Sequence, residues 1–264
     1  MSQARLVLPV LMYHSIPKET PGNTLAVPWA LLDRQWRALR ADGWTLRGLT
    51  EALALTETAP RILGVTFDDG YADFLSVPEL LSAHDARATL YLPTSQLGES
   101  WSSTGIPYQS LSWDDVAALP RDLVEIGSHA HIHRPLDVLS QLDLDYEVRY
   151  SRQVIAERTG VQATSFCYPN GYCNHRVRSA VSAAGYLNAC IVGRKLADPG
   201  GDPYAVPRLQ VTHAHDEAGI IALVAHGEPG LTPQLKRAAQ PSWRGIRKVA
   251  YRATGRFLTL CHTC

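Results

Sequence analysis

Short apolar runs alternate along this chain with stretches whose apolar residues recur every three or four positions. The first pattern marks buried strands and the second amphipathic helices. Residues 6–13 form a continuous apolar run without helical spacing, closed by His14-Ser15-Ile16-Pro17, and are expected to be a fully buried strand. In residues 29–42, Trp29, Leu32, Trp36 and Leu39 share one helical face, and the pattern stops near Asp42-Gly43. The same reading predicts helices over 49–56, 78–84, 113–119, 142–159 and 175–184, and strands over 61–67, 88–93, 124–127, 165–168 and 187–192. Repeated strand–helix alternation defines an α/β chain with a parallel sheet, either a barrel or a doubly wound sheet. One catalytic domain over residues 1–232 is expected, followed by a tail or helix of different character over 233–264.

The chemistry-bearing residues cluster at the ends of these strands: His14, then Asp68-Asp69-Gly70, His129 to His133, and Cys167-Tyr168-Pro169-Asn170-Gly171. In parallel α/β folds the C-terminal strand ends build the site, so the clusters point to one shared location. An Asp-Asp-Gly triplet alone reads as a turn; its conjunction with the histidines changes that reading. His129 and His133 converge if they lie on one helical turn or in a tight loop after a strand. Two imidazoles and one carboxylate leave positions open on a divalent metal for water and substrate, which makes Asp69 the third ligand. Asp68 is then available as a base. His131 lies two residues from each neighbour and is expected to support the site without ligating.

Composition narrows the class. The 264 residues are 45% hydrophobic and 19% charged with a formal net charge of zero, which describes a globular chain and gives no charge-based argument for nucleic acid. The first residues lack a signal peptide's apolar region, and no apolar run reaches the roughly 18–20 residues of a membrane span, so a cytoplasmic location is expected. Five scattered cysteines do not read as a disulfide framework, and Cys261-His262-Thr263-Cys264 receives no role. From Pro241 onward Arg244, Arg247, Lys248, Arg252 and Arg256 stand without any acid among Trp243, Ile246, Val249 and Phe257. That segment reads as a solvated terminal helix or frayed tail, or as a basic amphipathic helix in peripheral contact with a membrane.

Thr66-Phe67-Asp68-Asp69-Gly70 together with Gly127-Ser128-His129-Ala130-His131-Ile132-His133 resembles the first two motifs of the polysaccharide deacetylase family, also called the NodB-homology family or carbohydrate esterase family 4. The resemblance extends over roughly residues 10–211, through Tyr13-His14-Ser15, Tyr168-Pro169-Asn170-Gly171 and Pro207-Arg208-Leu209, and suits a subgroup with an N-terminal Tyr-His strand. It implies a distorted (β/α) barrel and hydrolysis of an N-acetyl group on an amino sugar, glycan, lipid-linked sugar or small molecule. It implies one divalent metal, Zn2+ first and Co2+ or Ni2+ next, held by Asp69, His129 and His133, with Asp68 as general base. Tyr168, Asn170 and Arg208 would serve substrate or oxyanion, a backbone N–H near Asn170 holding the developing charge.

The chain departs from the family pattern in three respects: its third motif, where Asn170 also replaces a tyrosine, its general acid, and the absence of the export signal that many relatives carry. Cys167 stands where the family carries a base-orienting arginine, and Arg208 is either its replacement or a surface arginine ending a strand. The general acid is expected to be His14, with His226, after the apolar stretch 220–225, and then His213 and His215 as rivals. Other functions the residues admit are hydrolysis of a different C–N bond, as in a cyclic amide or imide, and a non-catalytic carbohydrate-binding barrel.

Overall fold

The computed structural model describes residues 7–18, 24–56, 58, 61–101, 108–228, 243–251, 253 and 254. In chain order, β1 (Val10–Tyr13), α1 (Trp29–Ala41), β2 (Thr45–Arg47), α2 (Leu49–Leu55), β3 (Ile62–Phe67), α3 (Val77–Ala83) and β4 (Ala88–Leu92) come first. A short antiparallel hairpin, β5 (Ser100–Trp101) and β6 (Tyr108–Gln109), precedes α4 (Trp113–Ala118) and β7 (Val124–Ser128). Then follow α5 (Gln141–Thr159), β8 (Ser165–Cys167), α6 (His175–Ala183), β9 (Asn188–Val192), β10 (Val206–Gln210) and α7 (Glu217–His226). Residues 243–251 are also helical.

Seven parallel strands close into a ring in the order β1-β10-β9-β8-β7-β4-β3, because β1 pairs with both β10 and β3. The short strand β2 lies outside the ring, against the first half of β3. This is a distorted (β/α) barrel, and it settles the choice between barrel and doubly wound sheet. No helix among the described residues is long and apolar enough to cross a membrane.

Side chains alternate across the barrel wall, as the period of a strand requires. Leu11 and Tyr13 of β1, Leu63, Val65 and Phe67 of β3, and Phe166 of β8 face the helices and join the large outer core with Trp36, Leu81, Val148 and Val181. The intervening positions Val10, Ile62, Tyr91, Cys167, Cys190 and Val206 form a second, smaller core inside the ring. Gly127 belongs to this inner set for a steric reason: a Cβ there would lie 2.5 Å from the Tyr91 ring. Four of the helices begin at side-chain caps that their sequences carry. Ser112 and Asp115 make a capping box at α4, while Ser140, Asn174 and Asp216 accept from the first-turn amides of α5, α6 and α7.

Candidate active site

The upper rim of the ring gathers the predicted residues. Asp68 continues β3, its amide donating to the Tyr13 carbonyl at 3.0 Å. Asp69 then turns the chain with φ 76°, a left-handed conformation that an aspartate tolerates better than most residues. On β7, His129 extends the ladder by donating its amide to Leu92 at 2.9 Å. Ala130 (φ 65°) and His133 (φ 56°) are left-handed, so the four-residue spacing converges through a tight loop and not through a helix. Glu147 of α5 pins that loop, its Oε2 accepting from the amides of His131 and Ile132 at 2.9 and 2.8 Å. Glu147 escapes a sequence reading because it looks like any acid of an amphipathic helix.

His129 Nε2 and His133 Nε2 each lie 3.5 Å from Asp69 Oδ1 and 3.2 Å from one another. Donors on a tetrahedral ion at about 2.0–2.1 Å stand about 3.3–3.4 Å apart, so these three atoms fit one face of such a centre. The donor chemistry agrees. His129 Nδ1 lies 2.8 Å from the Cys167 carbonyl, which holds its proton and turns Nε2 inward as a lone pair. Burial and the neighbouring His133 pull the His129 pKa down to about 4, against the opposing pull of Asp68 and Asp69, so the ring is neutral near pH 7. Asp69, His129 and His133 are therefore a group that could hold a metal ion.

Asp68 sits beside this group in a different environment. Arg208 of β10 grips it with both arms, Nη1 to Oδ1 and Nη2 to Oδ2 at 2.7 Å each. The same guanidinium donates to Thr66 Oγ1 at 2.9 Å and lies 3.0 Å from Cys167 Sγ. Burial alone would raise the Asp68 pKa, but the charge and hydrogen bonds of Arg208, with His129 and His14, hold it well below the usual carboxylate range. Arg208 is 1% exposed, so it is not a surface arginine ending a strand; its guanidinium lies against Cys167. Burial, with the hydrogen bond to Cys190, pushes the Cys167 thiol far up, so it faces Asp68 as a neutral group.

The structure also sorts the remaining candidates. His14 Nε2 lies 4.0 Å from Asp68 Oδ2, and its Nδ1 is buried with no hydrogen-bond partner among the described residues. His226 is exposed at the end of α7, which is a helix and not a late strand. His213 is exposed after β10, and His215 caps its own loop by accepting from the Thr212 amide. Tyr168 gives its hydroxyl to the Tyr204 carbonyl at 2.9 Å, so that group is committed to the fold. Asn170 occupies a left-handed turn (φ 57°) after β8, at the same rim. His131 turns away to Thr94 Oγ1 at 2.8 Å and packs edge-on against Tyr146 and Tyr150.

Of one aromatic wall of the site, Tyr71 reads from the sequence as a core or wall aromatic, whereas Trp101 and Tyr108 were not foreseen. The Trp101 ring, on the hairpin β5–β6, lies 5.1 Å from His133 and 6.0 Å from Tyr71, which in turn contacts Tyr108 at 5.1 Å. Only the two aromatics Trp101 and Tyr108 of this stretch could have signalled it.

An acid–imidazole triad thus lies beside an arginine-clamped aspartate at the C-terminal mouth of the parallel barrel. The chain belongs to the polysaccharide deacetylase family: the family description Polysaccharide deacetylase matches residues 56–189, just over half its length. Solved structures share the fold. A Streptococcus pyogenes deacetylase, PplD, solved in complex with acetate, aligns with TM-score 0.73 at 19% identity over 86% of this chain and 100% of its own. IcaB from Ammonifex degensii gives 0.73 at 21% identity over 84% and 98%. A de-N-acetylase from Aggregatibacter actinomycetemcomitans gives 0.70 at 20% over 81% and 98%. His14 and Arg208 fall outside the span matched to the family.

Proposed function

We propose that this chain is a metal-dependent hydrolase that removes an N-acetyl group from an amino sugar, either free or within a glycan or glycolipid. The observation that carries the proposal is the division of labour between adjacent carboxylates: Asp69 joins two imidazoles, while Asp68 is held by Arg208. A divalent ion bound by Asp69, His129 and His133, most simply Zn2+, would supply Lewis-acid polarisation of the acyl carbonyl and activation of a water.

The chain's own residues do the rest. Asp68, kept ionised by Arg208, accepts the proton of the attacking water through the lone pairs the guanidinium leaves uncovered. A backbone N–H in the Asn170 turn donates to the oxygen that gains negative charge. His14, beside Asp68 at the end of the neighbouring strand β1, delivers a proton to the departing amine. Trp101 and Tyr71 offer aromatic faces against which a sugar ring can lie. The test is acetate release from a panel of N-acetylated sugars and oligosaccharides with and without chelator. Release that survives complete metal removal would sink the proposal.

Peripheral contact with an anionic membrane is part of the same reading. Ile246, Lys248 and Val249 are exposed on the helix 243–251, in a segment without acids. Sedimentation with phosphatidylglycerol vesicles but not phosphatidylcholine vesicles is expected, and equal recovery with both would remove it.

A further inference from the structure

Two loops shape the rim around the triad, and each carries a second residue facing the C-terminal helix. Asp137 lies on the single turn Leu136–Val138, a few residues beyond His133. Tyr172 follows the Asn170 turn directly. Arg247 reaches Asp137 with both arms, Nη1 to Oδ1 at 2.8 Å and Nη2 to Oδ2 at 2.6 Å. Its guanidinium also stands 3.8 Å over the Tyr172 ring, and Trp243 Nε1 donates to the Tyr172 hydroxyl at 3.2 Å. Positions four apart on a helix share a face, so Trp243 and Arg247 point inward together. Arg247 is 2% exposed and Asp137 5%, so neither is a surface charge. On its far side the Asn170 turn is already closed, because a Cβ at Gly171 would lie 3.0 Å from Val192 of β9.

A buried ion pair adds little stability over an apolar pair of similar volume, whereas a two-armed guanidinium–carboxylate contact fixes direction as well as distance. We infer that Arg247 is a positioning residue for the proposed deacetylation: it locks the loop of His133 and the turn of Asn170 in one relative placement. The inference rests on the functional reading above. It makes the basic C-terminal segment part of the wall of the catalytic mouth.

The test uses the full chain carrying Arg247→Met, compared with the parent by amide hydrogen exchange, Co2+ titration and acetate release from an N-acetylated chito-oligosaccharide. Exchange about tenfold faster in residues 131–138 and 168–173, with the other strands unchanged, is expected. Turnover should fall about tenfold or more at nearly constant KM, with Co2+ bound more weakly, and Arg247→Lys should lie between the two. Unchanged exchange in both segments, or uniform acceleration across the barrel, overturns the inference. Should Arg247→Met not fold, Trp243→Phe removes one hydrogen bond from Tyr172 and must speed exchange over 168–173; no change there overturns it equally. A parent chain that releases no acetate defeats the functional reading, whereas an active parent whose Arg247→Met keeps its turnover defeats the positioning role.

Discussion

The barrel carries a partly buried polar cluster at each end, and the two differ in how their lone pairs are used. At the lower end Glu125 accepts from Thr50, from Thr164 at 3.1 Å and from Thr89 at 2.5 Å. Asn188 bridges Thr50 at 2.9 Å and Ser165 at 2.6 Å, and Ser165 meets Tyr91 at 2.6 Å. Every acceptor there faces a hydroxyl or amide. At the upper end two imidazole nitrogens and the Asp69 carboxylate crowd within 3.5 Å, an arrangement that needs a proton or a cation among them. Enclosed polarity by itself therefore marks no site; convergence of two imidazole nitrogens and a carboxylate oxygen on one point does.

The largest expected effect separates the two upper carboxylates. Asp68→Asn should lower acetate release by about 10²–10⁴-fold while Zn2+ stays bound, and His129→Ala should lose the metal itself. Metal analysis of both variants checks the division, and loss of metal from Asp68→Asn would merge the two roles. Next comes Arg208→Met, which leaves a carboxylate buried without its partner and should cost about 3–5 kcal/mol in urea unfolding. Because Arg208 is what holds the Asp68 pKa down, the acid limb of the activity profile should also move to higher pH in this variant.

A third effect concerns the metal-free protein. His129 is neutral when folded, its pKa drawn down to about 4 by burial and His133, whereas an unfolded imidazole titrates near about 6.5. Its contribution to stability is therefore complete above about pH 6.5 and is lost as pH falls toward 4. Unfolding of chelated protein at several pH values should show that slope, and His129→Gln should flatten it. The smallest effect tests the lower cluster: Glu125→Gln should cost about 1–3 kcal/mol of stability with turnover unchanged. A large loss of turnover would mean that the two ends of the barrel are coupled.

Much of this arrangement was legible in the chain. The ring strands β1, β3, β4, β7, β8 and β9 coincide with apolar runs, and the three acid and histidine clusters do stand at strand ends. What escaped was non-local. β10 contains a proline, and Arg208 gives no local sign of burial. Its role emerges only when β10 closes the ring beside β1 and brings the guanidinium under Asp68. Arg247 misled for the same reason, since in a basic stretch it looks like one solvated charge among several. Tyr168 erred in the opposite direction: its motif position suggested the substrate, while its hydroxyl is taken by a carbonyl on a distant loop. The helix α2 and the strand β2 are so short that local pattern fixes the first and not the second.

The pairing of β1 with both β3 and β10 has a bearing on biosynthesis. A nascent polypeptide halted near residue 200 would already contain Asp68, Asp69, His129 and His133, yet the gap between the first stave and the ninth strand would stand open. The arginine that clamps Asp68 arrives with the stave that fills that gap. On the proposed mechanism, a nascent fragment that stops before residue 206 would lack the clamp on Asp68.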